Sequence, residues 1–320
     1  MGFGWIILIA IAVISLLVIL TSAICYLKVF YSAKRKPRAE DDYDLPPGKE
    51  YEPFHPQMIE WTKEARLTPH KKVEIETFDG LTLRGRYYEH SKDAPIEIMM
   101  HGYGGNMERD LSGGIFRALK IGHSVLVYNH RGSGESDGHT LTFGINESRD
   151  CRRWIDYVIN NINKDAKIII SGVSMGGATA MIVSGFDDLP KNVVGVVADC
   201  GYTSAKDIIK KVIRDMKLPP NLLYPFVKLG ALLFGRFHLD ETSPIEAIAR
   251  ISVPVILYHG EEDFLVPCDH SRRLAAAAAS PCRLVTVKGA DHALAYGLDP
   301  EAYVAALRAF LAECEPIAAE

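Results

Sequence analysis

A serine with glycines two positions to either side, Gly172-Val173-Ser174-Met175-Gly176, marks where covalent chemistry could start in this 320-residue chain. A serine hydroxyl is a weak nucleophile until a neighbouring base removes its proton. Three isoleucines, 168–170, run straight into the motif, and an apolar stretch, 178–183, runs straight out. That pattern is a buried strand turning sharply into a helix, a turn that strains the serine backbone and exposes Oγ. Side chains at the two glycine positions would collide with neighbouring backbone. Eleven histidines are available as the base, and His292, in Gly289-Ala290-Asp291-His292-Ala293, follows the last apolar strand segment. In a parallel sheet that loop reaches the same C-terminal edge as Ser174. The acid that orients the imidazole is expected from another such loop. Asp263, in His259-Gly260-Glu261-Glu262-Asp263, is the first choice, and Asp199, at the end of the preceding strand, is the alternative.

A tetrahedral oxyanion needs two fixed donors. The N–H of Met175, directly after the serine and at a helix N-terminus, supplies one. The loop His101-Gly102-Tyr103-Gly104-Gly105-Asn106 is the expected source of the other, with the Tyr103 N–H as candidate. His101 and His259 read as structural residues that bond neighbouring loops.

Positioning these groups takes a particular set of elements. Short apolar segments at 96–100, 124–128, 167–172, 193–199, 255–259 and 283–287 read as buried strands. Helical patterns lie between or after them, at 113–121, 146–162, 176–186, 269–279 and 300–312. Strand–helix alternation of this kind implies a parallel sheet covered on both faces. Ahead of it, alternating residues at 72–77 and 81–88 around Asp79-Gly80 predict a β-hairpin. The interval 203–247 is too long for one crossover, and Leu218-Pro219-Pro220 interrupts it, so a helical cap is expected there. Its apolar stretch from Leu222 to Phe234 fits helices packed on the core, an acyl-chain pocket or a surface touching a bilayer.

The N-terminus has a separate character. No charged residue occurs before Lys28, and 3–27 is almost wholly apolar, about 37 Å of helix against a hydrocarbon core of ~30 Å. A cleaved signal peptide would have a basic start and a shorter apolar run. Residues 1–33 therefore read as a single transmembrane anchor, 34–70 as a juxtamembrane linker with a short helix near 57–66, and 71–314 as the folded domain. Lys28, Lys34, Arg35, Lys36 and Arg38 all follow the span, which places the large C-terminal part in the cytosol. The six cysteines form no Cys-x-x-Cys pair, in keeping with free thiols. The balance of 36 basic and 40 acidic residues leaves no footprint for nucleic acid, and 48% apolar content excludes a disordered chain. No zincin, P-loop or EF-hand motif occurs.

Taken together, His101–Gly105, Arg131-Gly132-Ser133-Gly134-Glu135-Ser136, Gly172–Gly177, Gly260-x-x-Asp263 and Asp291-His292 resemble the serine hydrolases of the α/β-hydrolase superfamily. The nearest likeness is to membrane-anchored, esterase- and peptidase-like bacterial members, over about residues 70–312. The resemblance implies an eight-stranded, mostly parallel sheet, a Ser-His-Asp triad, no cofactor or metal, and hydrolysis of an ester, thioester or amide. It also implies that Arg131–Ser136 forms a shaping loop rather than a catalytic one. An anchored enzyme meets lipophilic esters first, so cleavage of carboxylic esters is the leading expectation. A peptidase acting on small peptides and a catalytically silent scaffold are the alternatives.

Overall fold

The computed structural model describes residues 3–33 and 42–314; the basic cluster 34–38 and the first acidic residues after it lie outside the described residues. In chain order the elements are α1 (Phe3–Val29), α2 (His55–Leu67), β1 (Lys71–Glu76), β2 (Thr82–Tyr88), β3 (Ile96–Met100), α3 (Met107–Lys120), β4 (Ser124–Tyr128) and α4 (Ile145–Tyr157). They continue with β5 (Ile168–Val173), α5 (Met175–Ser184), β6 (Val193–Asp199), α6 (Ala205–Asp215), α7 (Pro220–Gly230) and α8 (Pro244–Ile248). The last are β7 (Val255–Gly260), α9 (Asp269–Ala277), β8 (Cys282–Val287), α10 (Ala295–Leu298) and α11 (Pro300–Glu313).

All eight strands form one sheet in the order β1-β2-β4-β3-β5-β6-β7-β8. β1, β2 and β4 pair antiparallel, and every pairing from β4 to β8 is parallel. The α/β-hydrolase fold expected from the sequence is therefore the fold observed. Strand residues point to alternate faces, and the core divides accordingly. Ile98, Met100, Ile168, Ile170 and Val196 pack with Trp154 of α4 and Met181 of α5 on one face. Met99, Val125 and Val127 meet Leu111 and Ile115 of α3 on the other, where Ile169, Val197 and Ile256 meet Leu307 and Phe310 of α11. Residues buried on both faces explain why these strands read as unbroken apolar runs.

Three boundaries differ from the sequence reading. α3 begins at Met107 rather than near 113, because the Asn106 side chain accepts the N–H groups of Glu108 and Arg109 at 3.0 and 2.9 Å and caps the helix early. The stretch expected as one helix over 146–162 ends its α portion at Tyr157 and closes with a π-turn over Val158–Ile162. The short helix before the sheet spans His55–Leu67 and packs on α3, with Trp61 stacked on Tyr296 at 5.2 Å.

α6, α7, a π-turn over Ala231–Gly235, and α8 fill the interval between β6 and β7. They cover the C-terminal edge of the sheet through a cluster that includes Met175, Tyr202, Tyr224, Phe237 and Val266. The same cluster contains Phe30, fully buried just beyond the end of α1. Phe30 meets Phe143 and Phe237 edge-on at 5.9 and 5.2 Å, and its carbonyl accepts the Leu141 N–H at 2.8 Å. Burying a ring of this size stabilises by about 2–3 kcal/mol, so the exit of α1 is built into the folded domain.

Candidate active site

β5 passes into α5 through a single residue. Val173 ends the strand, Met175 starts the helix, and Ser174 stands between them at φ 55°, ψ −116°. A non-glycine residue is held at positive φ only by its surroundings. Here the Ser174 N–H donates to the Asp199 carbonyl at 2.8 Å, and the Ala178 N–H donates back to the Ser174 carbonyl at 3.0 Å. A Cβ on Gly172 would lie 2.2 Å from the Gly176 carbonyl carbon, and one on Gly176 would lie 2.1 Å from the Met100 carbonyl oxygen. Both glycines are therefore steric requirements of the turn.

His292 reaches Ser174 from the loop after β8. Its Nε2 lies 2.9 Å from Ser174 Oγ, and its Nδ1 lies 2.7 Å from Asp263 Oδ2. Asp263 is buried in the loop after β7, where its Oδ1 accepts the Val266 N–H at 2.7 Å. A second imidazole serves the same carboxylate. His259 Nε2 lies 3.2 Å from Asp263 Oδ2 and 2.7 Å from the Val266 carbonyl, so that nitrogen carries the proton, and Nδ1 accepts from Ser271 Oγ at 2.6 Å. Burial alone would raise the Asp263 carboxyl. The hydrogen bonds from His259 and His292, together with the Val266 N–H, outweigh burial and hold it down at about 2. Asp291 fixes the backbone of the loop, its Oδ1 accepting the N–H groups of His292 and Phe264 at 2.7 and 3.0 Å.

Asp199 sits elsewhere. Its side chain lines a cavity of about 120 Å³ on the α3 side of the turn, beside Arg109, Ser171 and Tyr303. Its Oδ1 has no hydrogen-bond partner among the described residues, and His292 bonds Asp263 instead. Burial raises its carboxyl to about 6, against the opposing pull of His259 and His292.

The loop after β3 closes on the serine from the other side. A Cβ on Gly102 would lie 3.5 Å from Ser174 Cβ, which brings Tyr103 to the same edge. Among the described residues, the N–H groups of Tyr103 and Met175 donate to no protein acceptor. His101 and His130 hold this loop in place. His101 Nδ1 donates to the Gly102 carbonyl at 2.8 Å, its Nε2 accepts the His130 N–H at 3.0 Å, and His130 Nε2 donates to the His101 carbonyl at 3.1 Å. Burial lowers both imidazoles to about 3, so they stay neutral. The Tyr103 hydroxyl donates to the Val29 carbonyl at 2.8 Å and so ties this loop to the last turn of α1.

Comparison with known proteins agrees with this architecture. Residues 98–234 match the family model described as the alpha/beta hydrolase fold. An uncharacterized protein of Mycobacterium tuberculosis is 30% identical over 247 residues, 76% of this chain and 79% of that one. The chain belongs to the α/β-hydrolase superfamily. An esterase of Pyrococcus furiosus superposes with a TM-score of 0.65 and 23% identity, covering 88% of this chain and 98% of its own. An uncharacterized membrane protein of Saccharomyces cerevisiae is 26% identical, covering 67% of this chain and 69% of its own.

Within this hydrolase fold some neighbours of the serine carry little sequence signal. Cys200 Sγ lies 3.9 Å from His292 Nε2, buried at the end of β6 with φ 45°. Burial pushes its thiol well above the ordinary range, which keeps it protonated and a poor nucleophile. Cys200, Asp263 and His292 offer ligand atoms within 4.8 Å of one another, a spacing a divalent cation accepts. Asp263 and His292 are already bonded to each other there. The Arg131–Ser136 loop is held by Arg131, whose guanidinium grips Asp150 through two 2.7 Å bonds and also reaches Asp79.

Proposed function

We propose that this protein is a membrane-anchored serine hydrolase that cleaves carboxylic esters, lipophilic acyl esters above all. The observation that carries the reading is the continuous relay from Ser174 Oγ through His292 to Asp263, at 2.9 and 2.7 Å, beside the Tyr103 and Met175 N–H groups that donate to no protein acceptor among the described residues.

In this reading Ser174 Oγ attacks the substrate carbonyl carbon as His292 Nε2 takes its proton. Asp263 keeps the other imidazole proton on Nδ1 and stabilises the imidazolium that forms. The carbonyl oxygen becomes an oxyanion held by the N–H groups of Met175 and Tyr103, the former at the N-terminus of α5. His292 returns its proton to the alkoxide leaving group, and the acyl chain remains on Ser174. Water then repeats the sequence, with His292 as base, and releases the acid and the free serine. His259 acts through Asp263 as a positioning residue.

α1 supports the anchored reading: its 27 residues include no acidic residue and a single basic one, Lys28 in the last turn. Lys28 and the basic residues after it orient the hydrolase domain toward the cytosol. Residues 1–33 serve as the anchor, 34–70 join it to the domain at 71–314, and 203–247 form the cap. The yeast relative's name as a membrane protein and the esterase identity of the P. furiosus neighbour agree with both halves of the proposal.

The test uses the full chain in detergent or vesicles, wild type against Ser174→Ala. Both are treated with a fluorophosphonate probe and assayed on p-nitrophenyl esters of short to long acyl chains. Labelling and turnover should vanish together in the variant. Turnover that survives in Ser174→Ala sinks the assignment of the nucleophile.

A further inference from the structure

We propose that the end of the cap at residues 231–236 enters the lipid bilayer beside α1, so that the protein meets the membrane through two surfaces and takes its acyl substrate from the lipid phase. This rests on the reading of α1 as a transmembrane span.

The depth of the contact follows from helix length. From Phe3 to Leu20 no residue of α1 is buried, and those 18 residues rise about 27 Å, close to the ~30 Å of a hydrocarbon core. Ser22 is the first buried residue. At that turn α1 meets α7 directly: a Cβ on Gly230 would lie 2.5 Å from the Ser22 carbonyl oxygen and 3.2 Å from the Tyr26 nitrogen. One turn further on, the Tyr26 ring packs on Phe234 at 5.8 Å. No spacer separates the span from the cap. Gly230 and the π-turn after it therefore lie at the depth where the hydrocarbon ends.

What the cap presents at that depth is apolar. Leu232, Leu233 and Phe234 are consecutive and 44%, 48% and 40% exposed. Three adjacent exposed apolar side chains are disfavoured in water. Beside the emerging span they extend its apolar surface sideways. Arg236, two residues after Phe234, is exposed in the left-handed conformation, and exposed Lys28 stands about 9 Å beyond Ser22 along α1. Both reach headgroup depth, where a guanidinium and an ammonium are favoured. A soluble protein partner would need no such match between the patch and the point where the span ends.

Depth-dependent fluorescence quenching tests this in the full chain. Trp5 lies on the exposed part of α1, so the native chain minus Trp5→Phe, which keeps Trp61 and Trp154, reports on α1, and Trp5→Phe with Leu233→Trp minus the same background reports on the cap. Each is reconstituted in phosphatidylcholine vesicles carrying bromine at shallow or deep acyl positions, with Trp5→Phe alone as background. The added tryptophan should lose at least about half its emission to shallow bromine and less to deep bromine. Quenched Trp5 with an unquenched residue 233 overturns the cap contact and leaves the span intact. Trp5 that escapes quenching overturns the span reading and this one with it. In a second measurement, Leu232→Glu with Leu233→Glu should lower turnover of a vesicle-borne long-chain ester about tenfold or more, with turnover of a water-soluble short-chain ester unchanged. Equal turnover of the vesicle-borne ester would remove the claim that substrate comes from the lipid.

Discussion

Replacing Asp263 by Asn puts the relay to its most discriminating test, because size and burial barely change while the hydrogen-bond pattern does. Asp263 accepts on both oxygens: the Val266 N–H at 2.7 Å on Oδ1, and His292 Nδ1 with His259 Nε2 at 2.7 and 3.2 Å on Oδ2. An amide has one acceptor end. If its oxygen faces Val266, its NH₂ faces two ring N–H groups. His292 relieves that contact only by moving its proton to Nε2, where it can no longer take a proton from Ser174. If the amide turns round, the Val266 N–H meets another donor. Either arrangement removes the active tautomer or strains the loop. The expected loss is about 10⁴-fold in kcat, about 5.4 kcal/mol, with KM nearly unchanged because Asp263 does not touch substrate. The assay is ester turnover by the full chain, with thermal unfolding as a control for folding. Asp199→Asn, whose side chain makes no hydrogen bond to His292, should keep near-wild-type turnover. A folded Asp263→Asn that stays within about tenfold of wild type, with Asp199→Asn inactive, would refute the assignment of the acid.

Other substitutions carry separate expectations. Gly176→Ala drives a methyl to 2.1 Å from the Met100 carbonyl oxygen, so it should destabilise the chain by about 3 kcal/mol or more in urea unfolding and abolish fluorophosphonate labelling. Glu97→Gln breaks a buried cluster in which Glu97 accepts from Arg117 at 2.7 and 3.2 Å and bonds His123 at 2.9 Å, for a loss of about 3–5 kcal/mol. Burial raises the Glu97 carboxyl, but Arg117 and His123 outweigh it and hold it at about 2. The stability this group contributes is therefore complete above its unfolded value of about 4.3 and fades as pH falls toward 2, and Glu97→Gln should flatten that acid limb in pH-dependent unfolding. Phe30→Ala empties a fully buried position and should cost about 3–5 kcal/mol by thermal unfolding of the full chain, an effect that a purely tethering role for α1 would not produce.

The parts of the site legible in the sequence are those where local geometry demands a residue type. Gly172 and Gly176 are dictated by approaches of 2.2 and 2.1 Å, so the turn announces itself in composition. Strand–helix alternation then delivers the loops carrying Asp263 and His292 to the edge that holds Ser174, and the structure brings the three side chains within hydrogen-bond distance. Asp199 shared the right edge in the sequence reading, but a strand residue's side chain goes to one face or the other. Asp199 falls on the face whose cavity is lined by α3 and Tyr303, a placement set by register rather than by position along the chain. Cys200 escaped notice for a related reason. Its approach to His292 joins loops 92 residues apart, and its own sequence context marks neither end.

The exit of α1 was illegible for a different physical reason. A helix apolar on every side has no hydrophobic face, so periodicity cannot say which side meets protein and which meets lipid. Ser22, Tyr26 and Phe30 recur every four residues on the side that packs against the cap, yet the first two are ordinary residues for a span and its boundary. The contact matters because of where it leads. The Val29 carbonyl receives the Tyr103 hydroxyl, Tyr103 packs on Phe143 at 5.2 Å, and Phe143 meets Phe30. The side chain of the residue proposed to offer an oxyanion donor is thus fastened to the end of α1. Any tilt of α1 must be absorbed by the hydrogen bond to Val29 or passed to the loop beside Ser174. A segment that reads as a tether is also fastened to the loop beside Ser174.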